Sequence, residues 1–92
     1  MGEPLTLSYT KAALAFLATA PKKHAAQIIR RIEALAVDSR PTGAKRLEGV
    51  EDAGQPVWRE RSGDYRILYC VRNGKTVVVL DIDHRKDVYR NL

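Results

Sequence analysis

A chain with one cysteine cannot close a disulfide on itself, and this 92-residue sequence has only Cys70. Cys70 sits inside an apolar run and reads as a small buried hydrophobe without chemistry. Its solitude, with no signal-like apolar segment at the N-terminus, predicts a reducing, cytoplasmic setting. No apolar run approaches the roughly 20 residues a membrane-spanning helix needs, so no membrane role is expected. The two histidines, His24 and His84, lie far apart, and neither they nor Cys70 show metal-ligand spacing. No metal or other cofactor is expected. Acidic side chains are outnumbered, 11 against 16 basic, for a formal charge of +5. That excess suits an anionic partner, although small soluble domains also carry such charge for solubility alone.

What is present is one domain, residues 1–92, with an ordinary apolar fraction of 45% and so a thin core. "LTLSY" (5–9) alternates apolar and polar residues, as a half-buried strand does. Thr10 is placed to N-cap a short helix over "KAALAFLATA" (11–20). Pro21 suits the opening of a second helix. There Ala25, Ile28, Ile29, Ile32, Leu35 and Ala36 make one apolar stripe, with Lys22, Lys23, Gln27, Arg30, Arg31 and Glu33 on the other faces. "DSRPTG" (38–43) ends this antiparallel hairpin. The stretch to Pro56 reads as mostly loop, anchored by Leu47 and Val50. Three strands then follow, "VWRER" (57–61), "YRILYCV" (65–71) and "TVVVLDI" (76–82), joined by turns at "SGD" and Asn73-Gly74. The order is β-α-α-β-β-β with a short C-terminal tail. This is a two-layer α+β fold in which the helical hairpin covers one face of an antiparallel meander.

Two charged groups stand out, "WRERSGDYR" (58–66) and "HRKDVYR" (84–90). Strand alternation sets Arg59 and Arg61 on one face, and Arg66, Leu68 and Cys70 on one face of the next strand. The "SGD" turn makes Arg61 and Arg66 neighbours, and the last strand returns His84 and Arg85 beside Tyr65 and Arg66. Asp64, Asp81, Asp83 and Asp87 would neutralise these cations in a salt-bridged rim. A phosphate would do the same, because arginine's planar fork matches its oxygens in pairs. Tyr65 and Tyr69 share a strand face and are expected to pack. Trp58 belongs at the edge of the core, and His24, among lysines, is expected to be exposed.

At these residues the chain resembles the RelE/ParE superfamily of bacterial toxins from toxin–antitoxin pairs. "WRERSGDYRILYCV", a hairpin, and "VVVLDIDHRKDVYR" together carry the likeness, and the helical hairpin has the expected length and position. The ending is similar to RelE-like members, which cleave mRNA, usually on the ribosome. The resemblance implies Arg66, Arg85 and Tyr89 as catalytic residues, with His84 beside them. It implies Arg59, Arg61, Lys86, Arg90, Lys45 and Arg46 as contacts to RNA phosphates. Where some RelE toxins carry two catalytic lysines, this chain has Val57 and Arg59. ParE-like members, which inhibit DNA gyrase by binding, share the "YRILY" strand but typically lack the closing tyrosine. The implied partners are a cognate antitoxin in a neutralising hetero-oligomer, mRNA and the ribosome.

The chemistry so implied needs no metal. A ribose 2′-OH attacks the adjacent phosphate, which calls for a base, positive charge at the transition state and an acid for the leaving 5′-oxygen. Arginine remains protonated below about pH 12 and is cast as a stabiliser. Tyr89, His84 and Lys86 are the groups able to move protons, and a crowd of arginines favours a tyrosinate over a protonated imidazole.

Overall fold

The computed structural model describes residues 3–84. Arg85, Lys86, Tyr89 and Arg90 lie outside them. Strand β1 (Thr6–Tyr9) leads into helices α1 (Lys11–Thr19) and α2 (Lys22–Val37), followed by strands β2 (Lys45–Asp52), β3 (Gln55–Ser62), β4 (Tyr65–Arg72) and β5 (Thr76–His84). All five strands form one sheet in the order β1-β5-β4-β3-β2. β1 runs parallel to β5, and every other pairing is antiparallel.

The two-layer α+β arrangement matches the sequence expectation, with one addition. Residues 45–52 form a strand where a loop was expected, so the meander has four strands. "KRLEGVED" is poor in β-branched residues and does not alternate. Its pairing with β3 is interrupted by a register shift between Arg46 and Glu51, where Gly49 takes φ +71°. The strand exists because β3 offers an unpaired edge, which local sequence does not record. Leu47 and Val50 do serve as anchors, packing with Leu80 against the buried pair Val57 and Leu68.

Helix α1 starts where its cap dictates. Thr10 Oγ1 accepts the Ala13 N–H at 3.2 Å and donates to the Leu80 carbonyl at 2.7 Å, tying the helix start to β5. Pro21 stands at the N-cap of α2, one position earlier than the first turn. Ile28, Ile32, Leu35 and Ala36 are buried, while Ile29 lies at the margin of the stripe, 36% exposed.

The main core lies between helices and sheet. Ala13, Ile28 and Ile32 meet Ile67, Val79 and Ile82, and Leu35 meets Tyr69 and Val77. Tyr69 is fully buried and its hydroxyl donates to the Ser39 carbonyl at 2.6 Å, pinning the chain just after α2. Cys70 is also fully buried, on the far face, and burial pushes its thiol pKa up. Trp58 is half-buried at the core edge, with the Arg40 guanidinium 4.9 Å from its ring centroid.

One irregularity decides what each face carries. The β4–β5 register shifts between Leu68 and Tyr69: Tyr69 is opposite Val79, but Leu68 is opposite Asp81, leaving Leu80 as the extra residue. Before this bulge Val77 and Val79 point to the helices; after it Ile82 and His84 do. The alternation of β5 thus changes parity at Leu80.

Candidate active site

The face turned away from the helices holds the basic cluster. Across β3, β4 and β5, Arg61 is opposite Arg66, and Arg66 is opposite Asp83. One row further in, Lys45, Arg59, Leu68 and Asp81 align across four strands. These two rows therefore bring four cations together with two carboxylates. Each carboxylate also turns back to its own strand, Asp81 Oδ1 accepting the Ile82 N–H at 2.9 Å and Asp83 Oδ1 the His84 N–H at 2.7 Å. Arg59 is buried, only 9% exposed, at the floor of the cluster. Arg66 is half-buried and Arg61 exposed.

The β3–β4 turn shapes the outer end of the cluster. Gly63 has φ +58°, the left-handed conformation that opens a tight hairpin and that a side chain would strain. Beside it Arg61, Gly63, Asp64, Tyr65 and Arg66 line a cleft of about 130 Å³. Two guanidiniums facing each other across adjacent strands repel, and an anion between them would remove that repulsion. The cleft can receive a phosphate and spread its negative charge over both forks.

Not every residue singled out from the sequence joins this group. Arg61, Arg66, Arg59 and Lys45 do. Arg46 is opposite Trp58, which places it on the helix side of β2. His84 is opposite Tyr65, also on the helix side, because the bulge at Leu80 has reversed the alternation of β5. Its ring packs edge-on to Tyr65 with centroids 6.0 Å apart. Tyr65 in turn touches Phe16 at 5.6 Å and His24 at 5.4 Å, so the second histidine, though exposed, contributes to an aromatic cluster. The His84 ring thus lies against Tyr65, on the face opposite Arg66. No grouping of His, Cys, Asp and Glu among the described residues could hold a metal ion. No helix among them is long and apolar enough to cross a membrane.

Sequence reasoning missed a second basic surface. On the helix side of the same turn, Gln27, Arg30 and Arg31 of α2 face Ser62 and Gly63 across an open cleft of about 430 Å³. The signal was the i, i+3, i+4 spacing of the three α2 residues, which puts them on one flank of a helix. It reads as a solvated face until the turn is seen beside it.

A helical hairpin lies over a five-stranded sheet whose open face carries arginines, and solved toxin–antitoxin complexes contain chains of the same fold. The archaeal RelE–RelB complex from Pyrococcus horikoshii contains a similar chain (25% identity, TM-score 0.75, covering 90% of this chain and 97% of that one). So does the toxin–antitoxin complex RelBE2 from Mycobacterium tuberculosis (30% identity, TM-score 0.73, covering 90% and 100%). A double mutant of the Escherichia coli toxin RelE in the free state shares the fold at 19% identity, with TM-score 0.71 and 95% and 90% covered. No curated protein is a match for this chain. The family model of the ParE toxin of the type II toxin–antitoxin system parDE matches residues 7–89. The chain belongs to this family, within the RelE/ParE superfamily. It is the toxin of a type II toxin–antitoxin system and has a RelE-like structure.

Proposed function

We propose that this toxin is a metal-independent endoribonuclease that cleaves mRNA on the ribosome, in the cytoplasm, and that a cognate antitoxin neutralises it. The observation that carries the reading is the opposed pair Arg61–Arg66 in the cleft at the β3–β4 turn, with Arg59 behind it. The scissile phosphate sits between the two forks. As the 2′-oxygen bonds to phosphorus, charge grows on the phosphoryl oxygens, and the guanidiniums hold it more strongly in that state than in the ground state. The 5′-oxygen leaves with a proton, and the products are a 2′,3′-cyclic phosphate and a free 5′-hydroxyl. Arginines do not exchange these protons. Tyr89, past the end of β5, is the proton carrier, Arg85 adds positive charge, and Lys86 and Arg90 bind flanking phosphates. Lys45 extends the same basic face.

The antitoxin part of the reading draws on the relatives solved as RelE–RelB and RelBE complexes. A second reading has one specific observation in its favour: the matching family model is that of the ParE toxin. The chain would then inhibit DNA gyrase by binding. Inducing the protein in bacteria separates the two. Rapid arrest of translation with cut mRNA supports the nuclease; arrested replication with intact mRNA supports the gyrase poison. In vitro, Tyr89→Phe retains the ring and removes the hydroxyl proton, so cleavage on translating ribosomes should fall by about 10²–10⁴-fold. Equal cleavage by both proteins would remove Tyr89 from the mechanism.

A further inference from the structure

We propose that the cleft formed by Gln27, Arg30 and Arg31 with Ser62 and Gly63 is a second phosphodiester site, which holds the RNA backbone next to the phosphate bound at Arg61 and Arg66. It rests on the reading of the chain as an RNA-binding toxin and names where the flanking strand lies.

Four observations carry it. Gln27, Arg30 and Arg31 project from one flank of α2, and Ser62 and Gly63 close the opposite side of a cleft of about 430 Å³. Among the described residues no carboxylate lines it. Among the described residues neither Arg30 nor Arg31 makes an ion pair, although Glu33 is three residues from Arg30 on the same helix. Within the described residues, then, nothing neutralises either cation. Finally, Gly63 lines this cleft and the Arg61–Arg66 cleft alike, so the two meet across the backbone of a single turn. Gly63 carries no side chain that would part them.

The chemistry of the lining selects the ligand. Arginine pairs hold phosphates, and the Gln27 amide and Ser62 hydroxyl are neutral donors that suit sugar and phosphate oxygens. A nucleic-acid strand carries an anion at every nucleotide, so one passing over Gly63 presents phosphates to both clefts. An acidic peptide has no such fixed repeat to match two clefts joined by a turn. Arg30 and Arg31 on this account bind and align the strand and take no part in bond breaking.

The test uses the full chain and a single-stranded RNA oligonucleotide with 2′-O-methyl riboses, which cannot be cut by 2′-OH attack. Its affinity is measured over a salt series. Each phosphate neutralised on a single strand contributes about −0.7 to the slope of log K against log salt, so Arg30→Gln/Arg31→Gln should flatten the slope by about 1.4 and weaken binding roughly tenfold at low salt. Arg30→Lys/Arg31→Lys should retain most of the slope, because the charge remains. At subsaturating unmodified RNA, cleavage by the Gln double variant should fall in step with its affinity, and by much less in the Lys double variant. Unchanged affinity and slope in that variant overturn the proposal. So does loss of antitoxin binding with RNA binding intact, which would assign the cleft to an acidic protein segment. A wild-type chain that binds RNA with the expected slope but never cuts it removes the nuclease reading and leaves the cleft standing. One that cuts RNA, with a slope indifferent to Arg30 and Arg31, removes the cleft alone.

Discussion

Arg61 faces Arg66 directly across β3 and β4, and among the described residues it has no ion-pair partner to offset the repulsion. Arg61→Gln retains most of the side chain's length and deletes its charge. Like charges directly opposed on neighbouring strands cost roughly 0.2–1 kcal/mol. Arg61 is exposed, so water screens the pair and the gain belongs at the lower end, about 0.2–0.5 kcal/mol. In a domain of this size that raises Tm by about 1–4 °C. On the proposed chemistry the same change removes one of the two forks around the scissile phosphate. Loss of a transition-state donor typically costs about 10²–10³ in rate, and the solvent exposure of Arg61 again favours the smaller figure, about 100-fold. The protein should thus become slightly more stable and much less active. Thermal and urea unfolding followed by circular dichroism measure the first quantity, and cleavage of a reporter mRNA on translating ribosomes the second. A loss of more than about 1 kcal/mol would mean that Arg61 supports the fold, refuting the electrostatic argument. A stability gain with undiminished cleavage would take Arg61 out of the chemistry.

Thr10→Ala removes both the N-cap of α1 and the bond to the Leu80 carbonyl, and should cost about 1–3 kcal/mol in chemical denaturation, most of it recovered in Thr10→Ser. Burial raises the pKa of Tyr69 above its ordinary value of about 10, aided by the nearby Glu60, so the fold favours the neutral phenol. Its contribution is complete below pH 10 and is lost above it at up to about 1.4 kcal/mol per pH unit; Tyr69→Phe should flatten that alkaline decline in urea titrations while costing about 0.5–1.5 kcal/mol at neutral pH. Ala53 precedes Gly54 in the β2–β3 turn with φ +51°, a conformation that costs a side-chain-bearing residue about 1–2 kcal/mol and that Asn tolerates better. Ala53→Asn should therefore raise Tm by a few degrees, and an unchanged or lower Tm would refute the strain argument.

Much of this fold follows from local pattern. The cap at Thr10, the stripe on α2 and the Asn73-Gly74 turn are each set by a few adjacent side chains, and each stands where the sequence places it. Alternation alone put Arg61 beside Arg66, because a tight turn leaves one register for the strands it joins. Three features needed the tertiary structure. β2 is a strand because an edge was available to pair with, not because "KRLEGVED" favours one. Arg30 and Arg31 line a cleft because packing brings α2 beside the β3–β4 turn, which is distant in sequence. His84 faces Tyr65 because one extra residue at Leu80 reverses the alternation of β5. Counting by twos from Val77 sends the even-numbered residues away from the helices, His84 to the arginine face among them; the bulge sends it to the helices. Nothing within "TVVVLDIDH" announces that bulge. Thr10, 70 residues earlier, donates to the Leu80 carbonyl at the bulge, and the pairing with β4 resumes beyond it; such contacts exist only once the chain has folded.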